Sequence, residues 1–277
     1  MVESPKGKAF HELPLVLFSA LATAGGGVGA AHFLLGLLGR GWALSRPEVL
    51  LLSGLLLAGV LVSIGHLGRP SRGHLALLGL GRSPLSNEIG ILGLVLFLAA
   101  SHLVLPAGPW LSILGFLTSL ASVMLLLALG GVYVLPGQVA WRGLAATSPL
   151  VMGMAWGLLL NGFLGPETAN TLVWLTLWVG LVLDGLVFLR RWQSLERIAP
   201  ESEVSHPSLF RRRRGILILR LLFSPLAASV ALGAGMGLEA LLLLSLALLA
   251  DRFGFYAMAL RQTTESEVAR VESLLQG

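Results

Sequence analysis

Not one of the 277 residues is cysteine. The chain therefore has no thiolate to hold an iron–sulfur cluster, no thiol to attach a c-type haem, and no disulfide. Any redox metal would have to come through histidine or through a partner. Charge is scarce as well: Asp, Glu, Lys and Arg make up 12% of the residues, about half the share in an ordinary soluble domain. A leader's cleavage signal is missing too. The first apolar segment is too long for the h-region of a secretory leader and lacks a small-residue cleavage site, so it is expected to stay as a span.

What remains is mostly apolar. Hydrophobic residues make up 55% of the chain, and uncharged runs recur at Leu13–Gly39, Val49–Gly68, Ile89–Trp141 and Gly143–Pro166. A bilayer core about 30 Å thick is crossed by roughly 20 residues of helix. Backbone groups in lipid must pair within their own segment, so such runs are helices. The expected fold is an all-α integral membrane protein, one polytopic domain over 1–277. Its eight spans are expected near 13–38, 48–67, 85–105, 111–134, 148–164, 168–190, 215–234 and 238–260. Eight spans place both termini on one side. Fifteen Lys and Arg residues, from Lys6 and Lys8 to Arg261 and Arg270, fall on that side, against Arg40 and Arg46 on the other. The positive-inside rule assigns the basic side to the cytoplasm of a cell membrane.

The one long connection, 191–214, ends in Arg211–Arg214, which reads as a stop-transfer and anionic-lipid anchor rather than a nucleic-acid patch. The first and fifth spans open alike, Pro14-Leu15-Val16 and Pro149-Leu150-Val151, which suggests two four-helix units. The stretch Gly25-Gly26-Gly27-Val28-Gly29 follows no strand, so it reads as close helix packing and not as a nucleotide loop.

Polar chemistry concentrates between Ser63 and Ile91. His66 closes one apolar run, Arg69, Arg72 and Arg82 follow, and Ser86, Asn87 and Glu88 open the next. Ser83-Pro84 reads as an N-cap with proline at the first helical position, which by itself would favour an acid in the first turns. That capping role does not account for an imidazole and three arginines meeting the same acid. A quinol releases two electrons and two protons, so its site wants a proton acceptor and a relaying carboxylate. His66 and Glu88 suit those roles, and the arginines suit developing negative charge or a partner's acidic surface. Asp184, Arg220, Asp251 and Arg252 are expected in the same leaflet. Asp184 and Arg220 read as a structural pair, whereas adjacent Asp251 and Arg252 point about 100° apart on a helix.

Two other chemistries compete. A b-type haem needs two histidines at one depth on different spans. His32 and His102 meet that need at the sparsely charged side, while His66 has only His11 or His74 near it. A transporter would instead gather broken helices at the midplane, whereas these groups gather near one surface.

At the same residues the chain resembles the membrane-anchor subunits of the dimethyl sulfoxide reductase family. The family's His-Leu-Gly-x-Pro, following arginine and Leu-Ser-x-Glu-Ile are matched by His66-Leu67-Gly68-Arg69-Pro70, Arg72 and Leu85-Ser86-Asn87-Glu88-Ile89. His11-Glu12-Leu13-Pro14-Leu15, Ser148-Pro149, and Arg252 with Phe255-Tyr256 extend the likeness over most of the chain. The family often has a glutamate one turn before the last-span arginine, where this chain has Leu248. The resemblance implies a haem-free and metal-free anchor that binds menaquinol and passes electrons to an iron–sulfur subunit, and from there to a molybdopterin subunit. It makes His66, Gly68, Arg69, Arg72, Ser86, Asn87 and Glu88 the quinol site, with Asp251, Arg252 and Tyr256 in support.

Overall fold

The computed structural model describes residues 13–64, 78–132, 146–164, 178–180, 182–190, 193, 228, 230–231 and 235–257. Among these the chain is helical, with no strand. We number the helices that carry the packing α1 (Leu13–Leu35), α2 (Arg46–Ile64), α3 (Pro84–Val104), α4 (Trp110–Val132), α5 (Ser148–Leu164) and α6 (Gly237–Ala257). Four helices are long and apolar enough to cross a membrane, the first extended by a widened turn to Arg40. The expected spans 13–38, 48–67, 85–105, 111–134, 148–164 and 238–260 thus each overlap a helix. Residues 168–177 of the expected sixth span, nearly all of the seventh (215–234), His11, His74, Arg220 and the basic loop 191–214 apart from Gln193 lie outside the described residues.

Helix starts differ slightly from the edges of the apolar runs, for a physical reason. The first turn of a helix tolerates proline and recruits polar caps, so α2 begins at Arg46-Pro47-Glu48 and α3 at Pro84. At the far end of α1, Gly39 and Gly41 adopt φ of +86° and +85° and turn the chain into α2, a conformation that side chains with a Cβ rarely accept.

α1 is the hub, packed against α2, α4 and α5, while α3 lies on α4. Its middle, Ala22–Ala31, is small and buried on every side, as expected for a helix enclosed by its neighbours. Successive glycines admit different neighbours: Gly25 faces Leu56 of α2, Gly26 faces Leu126 of α4, and Gly27 lies against the backbone of Gly153 in α5. Residues further along α1 meet residues further along α5, from Thr23 with Gly153 to Ala31 with Gly157, so these two helices run parallel. α2 and α4 run the opposite way, with Leu52 and Ser122 both beside Gly29. The bundle therefore has two distinct ends, one holding Glu88 and Ser148 and the other holding His32, Glu48 and His102.

A Cβ on Gly27 would overlap the Gly153 carbonyl, whereas one on Gly54 meets nothing within 4 Å. Gly27→Val is expected to destabilise the purified protein by about 1–3 kcal/mol through overpacking, with Gly54→Val close to neutral. Denaturation in mild detergent checks both; equal effects would mean that α1 does not touch α5 at Gly27.

Candidate functional site

The site is built from the turn that precedes α3. Arg82 N–H and Ser83 N–H both donate to the Gly79 carbonyl, at 2.9 and 3.0 Å, and Gly81 takes φ of +78°. The Asn87 side-chain carbonyl accepts the Gly81 N–H at 2.7 Å and pins the turn to the helix. Ser83 is extended, as a residue before proline should be, and Pro84 starts the helix. The Ser83 hydroxyl makes no capping bond, so the expected cap is correct in position and absent in chemistry. Ser86 turns inward beside Gly79, and Asn87 remains partly exposed.

Glu88 sits on the fifth residue of α3 and points into the bundle, only 3% exposed. Its Oε1 has no hydrogen-bond partner among the described residues. The fully buried Arg252 of α6 acts on the Glu88 carboxylate through the field of its charge. Arg252 Nη2 also stands 3.8 Å from Asp251 Oδ2, and the Ser148 hydroxyl donates to that same oxygen at 3.3 Å. The long guanidinium side chain bends back toward its neighbour, which is how two residues about 100° apart on one helix still approach. Tyr256, one turn beyond Arg252, packs edge-on against Phe255 with ring centroids 4.9 Å apart.

Helices α3, α5 and α6 thus bring Glu88, Ser148, Asp251 and Arg252 to one end of the bundle. Ser86 and Asn87 are close to Glu88 in the same turns, but Asn87 commits its carbonyl to the Gly81 backbone. His66, Gly68, Arg69 and Arg72 lie outside the described residues. Asp184, expected in the same leaflet, is buried at 1% exposure. A buried carboxylate with an open oxygen, in the field of a guanidinium, can accept a hydroxyl's hydrogen bond and then its proton. Arg252 would meanwhile stabilise the negative charge left on the ligand.

A second polar cluster occupies the other end. Glu48 is buried there, its Oε2 accepting the Ser45 N–H at 2.7 Å and its Oε1 accepting His32 Nδ1–H at 3.4 Å. His102 Nε2–H donates to the Leu44 carbonyl at 2.9 Å. The Leu44 C=O and Ser45 N–H belong to one peptide unit, so α2 and α3 grip the same peptide plane from its two sides. Trp42 in this connection packs at a tilt against Phe33 and edge-on against Phe116, with ring centroids 5.6 and 5.0 Å away. Glu48 was not among the expected site residues, although Ser45-x-x-Glu48 has the spacing of a capping box. His32 and His102 do share an end, and each keeps one ring nitrogen unpartnered among the described residues: His32 Nε2 and His102 Nδ1. A haem held by both rings would have to take His102 through Nδ1 or break its bond to Leu44. No group of three or more metal-binding side chains occurs among the described residues.

Compared with protein-family models, with curated proteins and with solved structures, the chain matches none.

The charge balance at the Glu88 end is testable directly. Arg252→Met leaves two buried carboxylates without that guanidinium and is expected to cost about 3–5 kcal/mol, with part of the loss recovered when Glu88→Gln is added. Thermal unfolding of the two single variants and the double variant reads the coupling; simple additivity would mean that Glu88 and Arg252 do not interact.

Proposed function

We propose that the chain is the membrane-anchor subunit of a respiratory molybdopterin oxidoreductase complex. In this reading it binds menaquinol at the Glu88 end and passes its electrons to an iron–sulfur subunit docked there. The observation that carries the reading is a buried Glu88 whose Oε1 has no hydrogen-bond partner among the described residues, within the field of a buried Arg252. The likeness of the 66–89 segment and of Arg252 with Phe255-Tyr256 to the dimethyl sulfoxide reductase anchors supports it from the sequence side.

Each quinol oxidation releases two protons and two electrons. Glu88 takes one hydroxyl proton and His66 the other, while Arg252 with Arg69 and Arg72 holds the oxyanion that forms between the two steps. Gly68, Ser86 and Asn87 shape the approach to the ring, and Tyr256 closes the site beside Arg252. The electrons leave through the partner's clusters to its molybdopterin subunit, because this chain has no thiolate for a cluster of its own. The protein belongs to the cell (inner) membrane, with eight spans in two four-helix units and both termini in the cytoplasm. A b-haem cytochrome built on His32 and His102 is the competing reading, favoured by their two unpartnered ring nitrogens.

Replacing Glu88 by Gln keeps size and hydrogen bonding but removes the charge, and His66→Phe keeps a ring without titrating nitrogens. Each is expected to lower quinol-dependent turnover per assembled complex by about two orders of magnitude. An artificial donor that feeds the soluble subunits should still drive the complex. Normal quinol turnover per complex in both variants would remove these residues from the site, and a stoichiometric b-type α-band in the reduced chain would promote the haem reading.

A further inference from the structure

Two buried acids share one end of the bundle with a buried guanidinium, and they are held in different ways. Asp251 is 3% exposed; its Oδ2 stands 3.8 Å from Arg252 Nη2 and accepts the Ser148 hydroxyl at 3.3 Å. Ser148 is fully buried and is the first residue of α5, so this carboxylate also meets the positive end of a helix of 17 residues. Each of these contacts favours the anion. Glu88 is as deeply buried, yet its Oε1 has no hydrogen-bond partner among the described residues, and Arg252 acts on it through the field of its charge.

These surroundings sort the two acids. One guanidinium offsets one carboxylate, and the acid with the close contact, the hydroxyl donor and the helix end is the one that keeps its charge. The other acid then carries a charge that Arg252 offsets only in part, away from water, and a proton on it relieves the whole cluster. We infer that Asp251, oriented by Ser148, is the fixed counter-charge of Arg252, and that this leaves Glu88 to take up and release a proton. When a ligand's O–H bond breaks, the proton passes to Glu88, the bonding pair stays on the ligand oxygen, and Glu88 later returns the proton to water. Ser148 and Asp251 are positioning residues in this scheme, acting through Arg252 without touching the ligand. The inference deepens the reading of Glu88 as the proton acceptor for a quinol, and it is tested without one.

The probe is N,N′-dicyclohexylcarbodiimide, applied to the full chain in lipid nanodiscs. It adds to a protonated carboxyl group in an apolar setting and leaves an ionised one unmodified, and mass spectrometry of the digested chain locates the adduct. Glu88 is expected to react and Asp251 is not. Asp251→Asn keeps the shape of the side chain and removes its charge, which makes Glu88 the counter-charge of Arg252. Labelling of Glu88 should then slow about tenfold or more, the scale on which a close opposite charge changes protonation. A difference in accessibility alone predicts no such loss, because this substitution neither opens nor closes a path to Glu88. Ser148→Ala should slow Glu88 labelling in the same direction and bring Asp251 into reaction, while Ser148→Thr, which keeps the hydroxyl, should restore the original pattern. The Ser148 variants carry the test where Asp251→Asn yields no folded protein. An adduct on Asp251 in the unmodified sequence, no adduct on Glu88, or a Glu88 rate unchanged by these substitutions would overturn the inference. Menadione separates the two levels: it is expected to protect Glu88, and if it does not while the variant pattern holds, the quinol reading fails and the charge assignment stands.

Discussion

A guanidinium from which water is fully excluded must be balanced by charge inside the protein, and Arg252 imposes that demand on everything around it. Removing one partner of such a set leaves an uncompensated buried charge, costly in any low-dielectric setting. Glu88 arrives from α3, Asp251 from α6 itself, and Ser148 fixes Asp251 from the first residue of α5. Three helices far apart in sequence are therefore held at one depth by a single electrostatic requirement. The same requirement leaves one carboxylate oxygen unused, and an unused buried acceptor is a place for a ligand's hydroxyl.

That cluster forms only because the helices can approach closely. α1 has little side-chain bulk where it meets its neighbours, so α2, α4 and α5 all close on it, and α5 reaches it backbone to backbone at Gly27 and Gly153. In lipid there is little hydrophobic gain from helix association, and van der Waals contact between small residues takes its place. With α5 set against α1, Trp156 N–H bonds to Ser245 of α6 at 2.9 Å and fixes the height of Asp251 and Arg252 relative to Ser148. The opposite end is organised differently, by one peptide unit gripped between Glu48 and His102 under an aromatic cap.

Much of this was legible in the residues. Uncharged runs gave the helices because their length matches a bilayer core, and the depth shared by Glu88, Asp251 and Arg252 followed from their distances to the span ends. The bond from Ser148 to Asp251 was not legible from local pattern, since residues this far apart in sequence leave no trace of their contact in spacing. Glu48 was overlooked because it sits at the edge of an apolar run, where an acid reads as a boundary; the serine three residues earlier was the available signal. Ser83 shows the reverse: the N-cap sequence sits where the helix starts, but the hydroxyl makes no bond, because Asn87 already closes the turn.

The proposed quinol site lies at the Glu88 end of the bundle and not at the His32 end, and photoaffinity labelling with an azido-naphthoquinone tests that most directly. Mass spectrometry of the labelled chain should find the adduct within residues 84–91 or 248–256, around Glu88 and Arg252. Label confined to residues 32–48 and 98–103, around His32, Glu48 and His102, would contradict a quinol site at the Glu88 end.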